Sequence, residues 1–157
     1  MKNLAHVVFL GVLITTGCAT TRFYPVQGPL SAQTPPPVLV GKMTGAFNSG
    51  SMSVTLSDGE ICKGPWSVVP RPDKSTSTSV AARPDLSAAW DTVYGAGFYV
   101  SHVLGAKEYA RAAMTGNKGT KLDVEMYKSD SPEKSQIPAI RGVAKDDKEN
   151  VYKVVVF

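Results

Sequence analysis

Cys18, Cys62 and His102 are the side chains of this sequence best suited to covalent or acid–base chemistry. A cysteine nucleophile needs a neighbouring base, and nothing near Cys62 supplies one, so Cys62 reads as a small buried hydrophobe. His102 follows Ser101, with Asp91 upstream. A Ser-His-Asp relay can be drawn from them, but triads are defined by geometry, and no Gly-x-Ser-x-Gly elbow occurs. His102 and Cys62 alone are too few N and S ligands for structural zinc. In the acidic turn Asp146-Asp147-Lys148-Glu149-Asn150, Lys148 takes an alternating ligand position and no glycine allows the bend of a calcium loop. A solvated turn is expected there. Asp123 and Glu125 fall two apart beside Lys121, hence on one strand face, and are expected to be exposed. With no phosphate-cradling glycine loop and no dinucleotide fingerprint, the sequence predicts no catalytic residue, no metal site and no cofactor.

What sets Cys18 apart is the sequence before it. Lys2 precedes an apolar run, Leu4 to Ile14, interrupted by His6 and Gly11. A spanning helix needs roughly 20 apolar residues, and this run is about half as long, as in the apolar region of a secretory leader. Thr15-Thr16-Gly17-Cys18 follows, which resembles a bacterial lipobox, with Thr15 where that family usually has Leu. The resemblance implies a signal peptide over 1–17, cleavage between Gly17 and Cys18, a diacylglycerol on the Cys18 thiol and a palmitate-type acyl group on the new N-terminus. It also implies the lipid bilayer as partner. Two or three acyl chains hold a protein on a membrane where one does not. Ala19, standing where Asp would retain the product at the inner membrane, implies outer-membrane sorting with the domain facing the periplasm. The alternative is an ordinary secretory leader cut nearby, such as after Ala19. Two cysteines in an exported chain suggest a disulfide; acylation of Cys18 would leave Cys62 unpaired.

The 17 Lys and Arg against 13 Asp and Glu give a net charge of +4. The basic residues are dispersed and not interleaved with aromatics, which argues against nucleic acid as a partner. Weak attraction to an anionic envelope surface or glycan is compatible with that charge.

One domain is expected, since 157 residues at 43% hydrophobic can bury a single core. Residues 18–40 hold Pro25, Pro29 and Pro35-Pro36-Pro37 and predict an extended spacer, or a linker whose Phe23, Tyr24 and Val26 lie on the domain. From 41 to 157 the pattern is β-rich. Met52, Val54 and Leu56 alternate with Ser and Thr, and Asp58-Gly59 marks a hairpin turn. Strands are predicted over about 42–48, 51–57 and 60–68, then 110–115, 121–126, 140–145 and 151–157. Met-Thr-Gly at 43–45 and again at 114–116 suggests two similar meanders.

Between the meanders, Leu86, Ala89, Trp90, Val93 and Tyr94 make a helical stripe, with Asp85 as cap and Gly95 as stop. Trp90 is expected in the core. Residues 97–104 are expected to be a strand, and 70–84 a surface loop. The fold class is thus mainly β, antiparallel meanders forming a small sandwich or a partly open barrel-like sheet, with one short helix around 86–94. The closing Val-Tyr-Lys-Val-Val-Val-Phe is similar to the last strand of outer-membrane barrels, but the strands are shorter than the roughly 9–11 residues that spanning requires.

The lipobox together with MTGAFNSGSMSVTLSDGEICKGPW, MTGNKGTKLDVEMY and GVAKDDKENVYKVVVF resembles uncharacterised lipoproteins of proteobacteria. Some of these carry cysteines at the positions of Val124 and Val143, which implies a cross-strand disulfide that packing replaces here. The function implied is a membrane-anchored lipoprotein with a non-catalytic binding or structural role in the envelope. Its contact surfaces are expected at the 70–84 loop, Tyr99 and Tyr127, with an envelope protein or glycan as partner. The alternatives are a small envelope hydrolase using His102 and an accessory lipoprotein of a secretion or assembly complex.

Overall fold

The computed structural model describes residues 17–46, 48–69, 86–104, 106, 109–128 and 140–157. The leader up to Thr16, the Asp85 cap and the 70–84 loop lie outside the described residues. Eight antiparallel strands form the fold: β1 (Gly17–Gln27), β2 (Leu39–Ala46), β3 (Ser49–Thr55), β4 (Ile61–Val68), β5 (Tyr109–Gly116), β6 (Lys121–Lys128), β7 (Ile140–Asp146) and β8 (Val151–Val156). Each strand pairs with the next, and β1 pairs with β8, so the sheet closes into a barrel. The mainly β expectation holds, with closure in place of a sandwich or an open sheet.

Closure depends on β1, and the spacer expected over 18–40 is corrected at residues 18–27, which are strand. Thr21, Phe23 and Pro25 are buried while Arg22 and Val26 are exposed, the period of two that puts alternate residues on opposite faces. Phe23 sits opposite Leu39 on one side and Val154 on the other. The register shifts between Pro25 and Gln27, which accommodates a residue without an N–H inside a ladder.

Inside the barrel lie Phe23, Met52, Val54, Trp66, Leu122 and Tyr152 among others. Outward positions include Lys42, Lys63, Thr115 and Lys121, all exposed. A membrane-spanning barrel has the reverse pattern, a polar lumen and an apolar band outside. Val124 joins the interior cluster and Val143 the outer one. The two side chains therefore face opposite sides of the sheet, and the cross-strand disulfide implied for those positions does not fit this register.

Between β4 and β5 the chain makes α1 (Ser87–Tyr94), stopped at Gly95, whose φ is 108°. It covers the outer face of β7 and β8, and Trp90 is buried as expected. The strand expected over 97–104 is instead a π-helical turn, Tyr99–Val103. The Leu104 N–H closes it on the Tyr99 carbonyl at 3.0 Å, and a column of aromatic rings four residues apart runs from α1 into it. Tyr94 stacks on Trp90 at 5.5 Å, Phe98 on Tyr94 at 4.6 Å and His102 on Phe98 at 4.3 Å. Asp91 Oδ1 accepts the Tyr99 N–H at 3.0 Å and caps the turn.

Tyr127 is 4% exposed and meets Trp90 edge-on at 5.5 Å, so the expectation of an exposed contact residue is corrected. Tyr99 is half-buried. Glu125 is likewise covered, at 3% exposed. It accepts the Trp90 Nε1–H at 2.9 Å and pairs with Arg111 at 2.9 Å; a helix brought from elsewhere in the chain has roofed a strand face that alternation alone assigns to solvent.

The hairpins after β3, β5 and β7 are built alike. The first residue of each turn donates to the last: Leu56 to Glu60, Gly116 to Thr120 and Asp146 to Asn150. The fourth has positive φ: Gly59 at 77°, Gly119 at 99° and Glu149 at 66°. Neighbouring turns are also bolted together. Asn117 donates its N–H to the Ile61 carbonyl and accepts the Ile61 N–H on Oδ1, and Asp147 does the same with Lys121.

The two Met-Thr-Gly stretches sit at opposite ends of the barrel, one at the end of β2 and one at the end of β5. They mark strand ends rather than two equivalent meanders.

Candidate functional site at the barrel mouth

The two ends of the barrel differ. At the turn end, Glu60, Thr120, Asp146 and Asn150 are buried; the solvated turn expected at 146–150 holds for Asp147, Lys148 and Glu149, which are exposed, but not for its two ends. Asp146 accepts the Lys148 and Asn150 N–H groups, the Asn150 amide and the Tyr152 hydroxyl. Asn150 Oδ1 accepts the Leu30 N–H at 2.9 Å, so the β1–β2 connection is drawn across this end, with Leu30 on the core.

Glu60 accepts the Thr120 hydroxyl at 2.6 Å and the N–H groups of Thr120 and Lys118. Chiefly through the Thr120 hydroxyl bond, and against the opposing effect of burial, its carboxyl is held down to about 2. Lys148 lies 3.5 Å from Glu60 and 3.7 Å from Asp58. These donors and charges satisfy one another, and they make a lid rather than a ligand cradle. No group of three or more potential metal ligands occurs among the described residues.

Among the described residues, the other end is apolar. Met43, Trp66, Ala110, Met126 and Ile140, one each from β2, β4, β5, β6 and β7, surround a pocket of about 470 Å³ with Asn48 and Lys128 at its edge. That volume is within the roughly 300–1,000 Å³ of small-molecule sites, which favour barrel mouths. The Trp66 Nε1–H is already used, donating to the Thr44 carbonyl at 3.0 Å, so the indole presents carbon to the pocket. Two thioethers complete a wall that can reshape at little cost.

Cys18 belongs to this same rim. It is exposed, on the second residue of β1, paired with Thr44 and followed by Ala19 opposite Met43. Gly17 begins the strand. Cys62 sits in the core at 0% exposure on the turn-end half of β4, and burial pushes its thiol up to about 11. The structure places the two cysteines in opposite halves of the barrel, both free.

His102 is exposed on the outer π-helical turn. Among the described residues no carboxylate or hydroxyl is hydrogen-bonded to its ring, and Asp91 is engaged with the Tyr99 N–H. The structure does not assemble Ser101, His102 and Asp91 into a relay.

Sequence reasoning missed the pocket, although part of its signal was present: Cys62, Gly64 and Trp66 alternate along one face of β4. What fold and site define is an eight-stranded antiparallel barrel, helix-braced on one side, lidded by polar turns at one end and apolar at the other. No family model, no curated protein and no solved structure matches the chain.

Proposed function

We propose that this chain is a membrane-anchored bacterial lipoprotein whose barrel serves a non-catalytic binding role in the cell envelope, facing the periplasm from the outer membrane. The observation that supports this best is the position of Cys18, exposed on the same rim as the apolar pocket. Cleavage before Cys18 takes only Gly17 from β1 and leaves its paired residues from Cys18 to Phe23 intact. Because the strand starts at the anchor, acyl chains on Cys18 join the barrel directly, with no stalk, and the mouth rests near the lipid surface. Each buried methylene contributes about 0.8 kcal/mol to such an anchor.

Mass spectrometry of the mature N-terminus together with membrane fractionation tests this. The expected product begins at Cys18, carries the diacylglycerol and acyl masses and sediments with membranes, and Cys18→Ser accumulates as uncleaved precursor. A water-soluble product lacking acyl mass at Cys18 overturns the reading.

A further inference from the structure

We propose that the mouth pocket holds one long acyl chain taken from the adjacent bilayer. This deepens the lipoprotein reading, since it uses the orientation that an acylated Cys18 would impose. The lining decides the ligand class. Met43, Trp66, Ala110, Met126 and Ile140 offer carbon and sulfur, and the one indole donor among them is spent on the Thr44 carbonyl. Asn48 and Lys128 stand at the edge, so a sugar or nucleotide seated against these five side chains would lose its water without gaining hydrogen bonds from them in return, whereas a hydrocarbon chain asks only for apolar surface. The two methionines suit an occupant that changes shape, because the unbranched thioether side chain refits at little cost.

The rim supplies the path. Ala19, next to the anchor, faces Met43 of the pocket wall across the β1–β2 ladder. On the other side of β1, Phe157 is 60% exposed, is doubly hydrogen-bonded to Thr20 and lies under the Arg22 guanidinium at 5.4 Å. An exposed aromatic beside a cation, on the edge that carries the anchor, is a pair suited to the boundary between head groups and chains. The opposite end, closed by Leu30 and the turn carboxylates, offers no such entry. A chain leaving the bilayer at this rim therefore enters the mouth without crossing a polar barrier formed by the described strands.

The test uses the full-length protein, extracted from membranes and reconstituted into phosphatidylcholine vesicles. In one arm the vesicles contain a fatty acid bearing a diazirine near the chain terminus. In the other they contain phosphatidylcholine with the same group in one acyl chain. After irradiation, peptide mapping is expected to place adducts on Met43, Trp66 and Met126, and the arm that labels them identifies the source as free acid or phospholipid. Ala110→Trp and Ile140→Trp, which fill the mouth from two strands, are each expected to reduce that labelling about tenfold with the circular dichroism spectrum unchanged.

Adducts confined to Phe157 and its surroundings, or mouth labelling as strong in both folded tryptophan variants as in the parent, overturn the proposal. The mass of Cys18 is read in the same digest. Acylated Cys18 with an unlabelled mouth refutes the acyl pocket alone. Unmodified Cys18 with a labelled mouth refutes the anchor while upholding the pocket.

Discussion

Trp90 donates its indole N–H to Glu125 Oε2 at 2.9 Å, across the seam between α1 and the barrel wall. Glu125 is 3% exposed and also holds Arg111 at 2.9 Å, so one carboxylate joins the helical layer to the sheet. A hydrogen bond to a charged group contributes about 1.5–3 kcal/mol, and removing one partner of a buried group costs more than removing both. Trp90→Phe is therefore expected to lower unfolding stability by about 2–4 kcal/mol in urea denaturation. In the Glu125→Leu background the same change is expected to cost much less. Equal costs in the two backgrounds would show that Trp90 acts through packing alone.

Thr21 points into the barrel at 0% exposure, and its hydroxyl is a buried polar atom without a hydrogen-bond partner. Desolvating a hydroxyl without compensation is unfavourable, and valine keeps its shape. Thr21→Val is expected to raise stability by about 1 kcal/mol, seen as a higher denaturation midpoint with an unchanged slope. A lower midpoint would show that the hydroxyl is satisfied in solution.

Glu60 sets an acid limit on the fold. Its pKa is about 2 in the folded chain against an ordinary 4.5. A group depressed on folding contributes stability that is complete above its unfolded pKa and lost as pH falls through the folded one. Thermal melts from about pH 5 to pH 2 are expected to show a falling midpoint in the parent. Glu60→Gln, which starts lower at neutral pH, is expected to show a flatter profile. Parallel profiles would remove Glu60 from the acid response.

Of the three matched turns, two place Gly at the positive-φ position and the third places Glu149, at 66°. A side chain there costs about 1–2 kcal/mol relative to glycine. Glu149→Gly is expected to stabilise by about 1 kcal/mol. Gly59→Ala and Gly119→Ala, whose added Cβ would meet nothing within 4 Å, are expected to destabilise by a similar amount through conformation alone. Chemical denaturation of the three variants reads this directly, and a destabilised Glu149→Gly would show that the Glu149 side chain has a role of its own.

Much of the barrel was legible because seven of its strands advertise themselves by alternation or by turn residues. β1 was not, since Pro25 and the prolines that follow gave its region the composition of a spacer and hid the period of Thr21 and Phe23. Without β1 the sheet has two free edges, so closure could not be inferred. The π-helical turn was misread because Gly97 to Leu104 is apolar enough for a strand; the pattern that argued for helix was the four-residue spacing from Trp90 to His102. Burial of Glu125 was invisible for another reason: the alternation of β6 is intact, and its partners arrive from an insertion that alternation cannot place. The mouth was the least legible feature, being assembled from single residues on five strands, none of which forms a local motif.

The pairing of β1 with β8 has a consequence for how the chain acquires this shape. The first and last strands of the order are neighbours, so their contacts span the longest stretch of sequence in the fold, and such contacts are formed slowly. Until β8 arrives, β1 and β7 each present an unpaired row of backbone donors and acceptors, a surface open to pairing with other chains. A chain cut short before Val151 keeps both raw edges, and its characteristic failure is self-association rather than a simple loss of stability.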